Sequence, residues 1–357
     1  MSERPLRILH VLNTVRETGN GIINTAMDLA WGQAQRGHHV AVASQGGEFE
    51  SALATWGVAH HRIDQTRRVG TLWRAAWTLR ALLRETAPDV VHAHMVTGTL
   101  LTSMVRGGRP PLLVAHVHNV YQRSARWMRG ADVVLCCGTS VRATMQAQGV
   151  PHAKLQVVLN GTVGSPRLRN ADDVAPAAIA KPAIVTVAGM NARKGIDELI
   201  AAFVRLADRH PDAHLHLVGD GPERPRFAAL AAATPVASRI HFHGFQRDPM
   251  PFLRAADVFV LASRRESSPI VIGEARAAGC AIIATAVDGV PETLDDGRAG
   301  LLVPAQDAPA LAEALHGLLS DPARRAALSA AAREGLDRFH VTRMVDETLA
   351  LYRTFLT

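Results

Sequence analysis

Two carboxylates around a proline-started helix mark the stretch SRRESSPIVIGEARAAG at residues 263–279. Ser268 followed by Pro269 has the form of an N-cap with proline at the first helical position. Pro269 has no N–H, so Ile270 and Val271 supply the free amides of the first turn, which suit an anion. The Ser268 hydroxyl is the competing partner for those amides. A carboxylate accepts from two neighbouring hydroxyls, as on a ribose or a hexose. Glu266 on the loop and Glu274 about one turn further into the helix bracket the anion site at two heights, and both are expected to line an open cleft. Either alone reads as a surface charge; the pair framing one helix start reads as a ligand site.

A second loop, GMNARKG at residues 189–195, sets Arg193 and Lys194 before another helix. Two cations beside a positive dipole end repel one another unless an anion sits between them. Only three of the 39 basic residues are lysines (Lys154, Lys181 and Lys194), so a lysine here suggests a specific need, against the plainer reading of a solvated pair. Gly19-Asn20-Gly21 forms a third loop at a helix start, open to a phosphate or sugar or serving as a simple turn. As a G-x-G-x-x-G fingerprint it fails at Asn24, which weakens a dinucleotide dehydrogenase. His118 follows the apolar run Leu112–Val117, where cleft residues belong, whereas His92, His94 and His116 read as core or supporting residues. No D-x-D motif occurs, so no diphosphate-bridging metal is implied, and no side chain stands out as a covalent nucleophile.

The elements that must position these loops alternate short β-branched runs with amphipathic stretches. Strands are expected at Leu6–Asn13, Val40–Ser44, Val58–Ile63, Asp89–Ala93, Leu112–Val117, Val133–Cys137 and Leu155–Leu159. A second series follows at Ala183–Ala188, His214–Val218, Ile240–His243, Val258–Leu261, Ala281–Thr285 and Leu301–Val303. Helices are expected at Gly21–Arg36, Leu72–Arg84, Ile196–His210 and Thr342–Leu356. Near-continuous apolar strands separated by helices indicate parallel sheets covered on both faces. The fold class is therefore α/β, with two doubly wound Rossmann-like domains facing across a cleft. The expected domains are 1–165 and 166–340, with periodicity lapsing at 162–181, and a final helix 341–357.

Composition bounds the partners. At 48% hydrophobic and 20% charged the chain is an ordinary globular one, and with aromatics at 4% its core is mostly aliphatic. No apolar run reaches the roughly 18 residues of a spanning helix, and the opening MSERPLRILHVLN lacks a signal-peptide layout. Cys136, Cys137 and Cys280 read as buried thiols in a reducing compartment, so a cytoplasmic location is expected. Residues 1–165 hold 17 Lys and Arg against 9 Asp and Glu, while residues 166–357 hold 22 against 23. The basic half lacks the lysine-rich tails, zinc-finger spacing and aromatic platforms of nucleic-acid binders. An anionic membrane surface on the inner face of the cytoplasmic membrane is the better partner. Arg67, Arg68, Arg74, Arg80 and Arg84 surround Trp73 and Trp77, and Arg123, Arg126 and Arg129 surround Trp127. Taken alone, the first of these helices reads as an ordinary one whose tryptophans face the core.

The whole chain resembles glycosyltransferase family 4, the retaining nucleotide-sugar transferases of GT-B fold. Glu266 to Glu274 matches the family's E-x7-E pattern. Lys194-Gly195, Gly219-Asp220-Gly221-Pro222, Gly289-Val290-Pro291-Glu292 and Gly300-Leu301-Leu302-Val303-Pro304 support it. Asn20-Gly21 matches the Gly-Gly loop with Asn in first place, and Asn160-Gly161 matches the turn before the linker. The resemblance implies that Lys194 holds the donor diphosphate, Glu274 the ribose and Glu266 the transferred sugar. The amides around Ser268, Ile270 and Val271 would contact sugar and phosphate, with Gly219 also on the donor side. Gly21 would close over the phosphate, His118 would orient the sugar, and the last helix would cross back to the first domain. Three departures stand out: Met190 replaces the arginine after the first glycine, Ser267-Ser268-Pro269 replaces Gly-Phe-Gly, and Leu159 replaces a proline. Arg193 is the candidate substitute for the missing arginine. The implied activity is hexose transfer from a UDP- or GDP-sugar to a glycan or lipid-linked acceptor in bacterial surface polysaccharide or lipopolysaccharide synthesis, with no cofactor and no metal. The alternatives are a sugar-nucleotide epimerase of the same fold and a catalytically silent nucleotide- or glycan-binding partner, the latter favoured by Met190.

Overall fold

The computed structural model describes residues 4–107, 110–121 and 123–356, with nothing of the Arg123 side chain. Residues 1–3 of the expected first domain and residue 357 of the expected last helix lie outside the described residues. The chain divides into two compact units, Met1–Gly161 with Phe339–Thr357, and Thr162–Arg338.

In the first unit the chain runs β1 (Arg7–Val11), α1 (Gly21–Gln35), β2 (His39–Ser44), α2 (Glu50–Thr55), β3 (Ala59–Arg62) and α3 (Val69–Thr86). It continues through β4 (Val90–Ala93), α4 (Val96–Val105), β5 (Leu112–Val117), a 3-10 turn at Arg123–Gly130, β6 (Val133–Cys136), α5 (Thr139–Ala147) and β7 (Leu155–Val157). The second unit holds β8 (Ala183–Val187), α6 (Ile196–Leu206), β9 (His214–Val218), α7 (Arg224–Ala232), β10 (Ile240–Gly244), α8 (Met250–Ala255) and β11 (Val258–Leu261). It ends with α9 (Ile270–Ala278), β12 (Ile282–Thr285), α10 (Val290–Thr293), β13 (Leu301–Val303), α11 (Ala308–Ser320) and α12 (Pro322–Arg333). The last helix, α13 (Val341–Leu356), returns to the first unit.

Each unit is one parallel sheet, ordered β3-β2-β1-β4-β5-β6-β7 in the first and β10-β9-β8-β11-β12-β13 in the second. Strands such as Leu112–Val117 and Ile282–Thr285 are buried at every position, because helices cover both faces. In both sheets the winding reverses direction beside the first strand of the unit. Ligands of such sheets bind where the loops leaving the two strands at that switch part. In the first unit these loops follow β1 and β4, and in the second they follow β8 and β11.

The thirteen strands among the described residues fall where the apolar runs put them, with ends shifted by up to two residues. Helix α6 stops at Leu206 instead of His210, and Pro211 prevents its continuation. Residues 162–181 are not a bare linker, for Ala171 and Val174 join a core cluster of the second unit and Ala177 N–H donates to the Pro251 carbonyl. Helix α13 packs on α1, where a Cβ at Gly32 would stand 2.4 Å from Val345. Only glycine admits that approach.

Candidate functional site

The second unit's switch loops bring Arg193, Lys194 and Glu266 together. After β8 the chain makes a 3-10 turn at Ala192–Lys194 and reaches Gly195 in the left-handed region at φ 64°. A Cβ there would meet the Ala262 carbonyl at 2.0 Å, so the Lys-Gly step lets this loop lie directly on the chain leaving β11. The Arg264 amide donates to the Arg193 carbonyl at 2.8 Å, which ties the two loops. Gly219 repeats the device after β9, for at φ 129° its Cβ would lie 2.1 Å from the Ala188 carbonyl. Gly219 therefore supports the loop through backbone packing.

Glu266 is 9% exposed. Its Oε2 accepts from Arg193 Nη1 at 3.1 Å, from Lys194 Nζ, and from Ser263 Oγ at 3.4 Å. Burial works against its charge, but Lys194 and then Arg193 outweigh it and hold the carboxyl below the usual carboxylate range. Oε1 makes no hydrogen bond among the described residues. The anion that Arg193 and Lys194 require is thus Glu266 itself, 72 residues away in sequence from Lys194. Sequence reasoning missed Asp288, which accepts from the Glu266 amide and from Arg265 Nε, both at 2.9 Å. The Gly289 amide closes the clasp on the Glu266 carbonyl at 3.0 Å. The spacing of the 289–292 motif from Glu266 carried that signal only faintly.

Helix α9 starts one residue later than expected. Pro269, at φ −74° and ψ 107°, is extended and occupies the N-cap, so Ser268 precedes the cap and Ile270 opens the helix. Val271 is buried and Ile270 partly so. Glu274 sits within α9 at 5% exposure and accepts from Thr162 Oγ1 at 3.0 Å. Both carboxylates are buried, and the apolar residues of α9 belong to a core cluster of the second unit. Met190, where the resemblance led to an arginine, is a fully buried core residue.

Asn20, Gly21 and His118 lie in the first unit. Asn20 is the N-cap of α1, and its Oδ1 accepts from the Ile22 amide at 3.0 Å. The expected open loop at this point is therefore a capped helix start, with Gly21 as the first helical residue. His118 follows β5 with its Nε2 3.1 Å from His94 Nδ1, and burial pushes its pKa down to about 3. Trp73 and Trp77 on α3 are 62% and 67% exposed, so the expectation that they face the core is overturned. Ala75, Leu79 and Leu82 make the buried face instead.

Two family profiles fit this chain, one described as Glycosyltransferase Family 4 over residues 19–163 and one as Glycosyl transferases group 1 over residues 181–321. An alpha-maltose-1-phosphate synthase of Mycolicibacterium smegmatis is 31% identical, over 75% of this chain and 79% of its own length. The chain belongs to glycosyltransferase family 4. A lipopolysaccharide core biosynthesis glycosyltransferase, LpsE of Rhizobium meliloti, is 32% identical to this family 4 chain over 60% of it, and the match spans 62% of LpsE. Among solved structures, Anabaena HepE in complex with UDP-glucose superposes with a TM-score of 0.83 at 17% identity, covering 98% of this chain and 100% of that one. That likeness gives this family 4 glycosyltransferase the GT-B fold.

Proposed function

We propose that this glycosyltransferase is a retaining enzyme that moves a hexose from a UDP- or GDP-sugar to a glycan or lipid-linked acceptor in bacterial surface polysaccharide or lipopolysaccharide synthesis. The observation that carries the reading is the divided Glu266 carboxylate, with Oε2 held by two cations and Oε1 left to a ligand. Departure of a nucleoside diphosphate places negative charge on the phosphates and positive charge on the sugar ring. Lys194, Arg193 and the α9 amides at Ile270 and Val271 stabilise the first, and Glu266 the second. Glu274 takes the ribose hydroxyls, Gly219 supports the donor loop, His118 orients the sugar, and the Asn20-Gly21 helix start serves the phosphate. Ser268, one residue before the cap, contacts the sugar. The LpsE name supports a surface-glycan acceptor, and the UDP-glucose in HepE supports a nucleotide-sugar donor. Incubation with a panel of UDP- and GDP-sugars tests the reading. Slow donor hydrolysis, and an acceptor product whose anomeric proton keeps the donor's configuration by NMR, are expected. A new sugar nucleotide would mean an epimerase, and binding without turnover a silent partner.

The acceptor side of this reading includes an anionic membrane surface. Val69, Trp73 and Trp77 recur every four residues and form an exposed apolar stripe on α3. Arg67, Arg68, Arg74 and Arg84 are exposed around it. Exposed Met104 on α4 and Trp127 on the next turn add to it, with the Arg126 and Arg129 guanidiniums 5.1 and 5.9 Å from the Trp127 ring. Helix α3 packs on α4, and α4 on that turn. Tryptophan ringed by arginine suits the headgroup level of an anionic leaflet. No helix among the described residues is long and apolar enough to cross a membrane.

A further inference from the structure

Three adjacent strands of the first unit carry histidines on the face covered by α1 and α13. His10 is paired in register with His92 on β4, and the period of two puts His94 on the same face. His116 on β5 and His118 just after it do likewise, their rings stacked at 3.9 Å. His94 lies between two rings, its Nε2 2.9 Å from His10 Nδ1 and its Nδ1 3.1 Å from His118 Nε2. His10 Nε2 meets Gln33 Oε1 at 2.8 Å, and His92 Nε2 meets His116 Nδ1 at 3.1 Å. Two buried ring nitrogens, His116 Nε2 and His118 Nδ1, have no hydrogen-bond partner among the described residues. A buried nitrogen without a hydrogen-bond partner on two of these rings is uncommon and leaves them open to a ligand.

We propose that His94, His116 and His118 bind a divalent transition-metal ion of the zinc class. Each offers a ring nitrogen, and these lie within 4.8 Å of one another. Two ligands at zinc-to-nitrogen distance on a tetrahedral ion stand about 3.4 Å apart. His94 Nδ1 and His118 Nε2 are already 3.1 Å apart, so the ion replaces the proton they share after a small opening. Imidazole is a preferred ligand of zinc, nickel and copper. Metal-bound histidines also use their second nitrogen in a supporting hydrogen bond. His10 supplies that partner to His94, and His92 supplies it to His116. The set His10, His92 and His94 is as compact, but all three are fully enclosed. His118 is partly exposed and gives the ion its way in. Three protein ligands leave the fourth position to water. All five histidines belong to the first unit.

The test is calorimetric titration of the untagged, EDTA-treated and desalted full-length protein with zinc chloride, with cobalt(II) as a spectroscopic probe. One zinc per chain and the visible bands of tetrahedral cobalt are expected. His118→Gln and His116→Gln each abolish both signals, and His10→Gln weakens zinc binding by about 10- to 100-fold. The second unit carries its own histidine ladder, with His214 and His241 ring nitrogens 3.0 Å apart. The double variant His214→Gln/His241→Gln keeps the parental titration. Absence of zinc binding by the parent overturns the proposal, as does binding that survives in His118→Gln or disappears with the His214/His241 change. Should His116→Gln fail to fold, His118→Gln at the partly exposed end decides the matter.

Discussion

Replacing Glu266 by Gln removes the charge of a buried carboxylate and keeps its shape. At 3.1 Å from Arg193 and an effective dielectric of 20, the gross attraction is about 5 kcal/mol. Desolvation offsets part of this, and the Gln carbonyl still accepts a hydrogen bond. The net loss is therefore set by a hydrogen bond to a charged group, about 1.5–3 kcal/mol. For a unit of this size that lowers Tm by about 3–12 °C. The two cations are then without their anion, so a diphosphate fills the place, and UDP or GDP raises the variant's Tm more than the parent's. Turnover moves the other way, because nothing faces the charge that grows on the sugar ring. A fall in kcat of about 10- to 150-fold, larger than any rise in KM, is expected. The pH dependence follows from the sign of the shift. Glu266 is held below the ordinary value of 4.5, so its contribution is present above that value and is lost as pH falls through the folded pKa. The Tm gap between parent and variant stays level from pH 8 to about 5 and closes below about 4.5. Scanning fluorimetry and donor-hydrolysis kinetics read all of these effects. A variant with parental Tm and kcat, or one that UDP protects less than it protects the parent, refutes the argument.

With Glu274 assigned to the ribose in the proposed reading, Glu274→Gln acts on a part of the donor that does not change during reaction, so donor KM rises with kcat nearly constant, and nucleotide protects this variant poorly from heat. Burial of Glu274 against Thr162 also predicts a lower Tm without ligand, measurable in the same scan. If Lys194, Arg193 and the α9 amides supply the positive charge as proposed, donor hydrolysis survives excess EDTA; full loss restored by magnesium or manganese would refute those electrostatics. Sedimentation with anionic vesicles captures the protein at low salt and releases it at high salt, while Trp73→Ser/Trp77→Ser reduces capture at every salt concentration. Arg276 is fully buried on α9, with Nη1 2.7 Å from the Thr293 carbonyl and Nη2 2.9 Å from Asp295. Arg276→Leu strands these partners, and urea unfolding followed by circular dichroism loses about 3–5 kcal/mol.

The strands were legible because a parallel sheet covered on both faces needs continuous apolar runs, and Val133–Cys136 or Ile282–Thr285 satisfy few other structures. Their order was not written in those runs. It takes the neighbouring of β8 and β11 to bring the Glu266 carboxylate to the cations at 193 and 194. It takes the neighbouring of β1, β4 and β5 to gather His10 and His118 with His92, His94 and His116, the three that read as core or supporting residues. The visible sign was the repeat of His-x-His at 92–94 and 116–118, since alternate residues of a strand share a face. Trp73 and Trp77 were misjudged because α3 also carries Leu72, Ala76 and Leu83, and the apolar arc is wider than the face the sheet covers. Asn20 in a glycine's place reads as an open loop until its side chain is seen on the Ile22 amide.

Met190 is the residue that spoke most for a silent partner, and its surroundings weaken that inference. Its backbone is fixed on both sides, with its amide on the Asp220 carbonyl at 2.9 Å and its carbonyl accepting from the Glu223 amide at 3.0 Å. Gly221 lies against it so closely that a Cβ would be 2.6 Å from the Met190 carbonyl. A side chain leaving this backbone enters the aliphatic core, where an arginine would be an unpaired buried charge. Arg193 meanwhile leaves the next turn of the same loop and reaches the Glu266 carboxylate and the Arg265 carbonyl. The cation lost at 190 thus has a successor three residues on, held by the loop that carries Lys194. If that succession is functional, Arg193→Met lowers kcat/KM for donor hydrolysis toward that of Lys194→Met, while Met190→Leu leaves turnover at the parental value; parental turnover by Arg193→Met would return the argument to the silent reading.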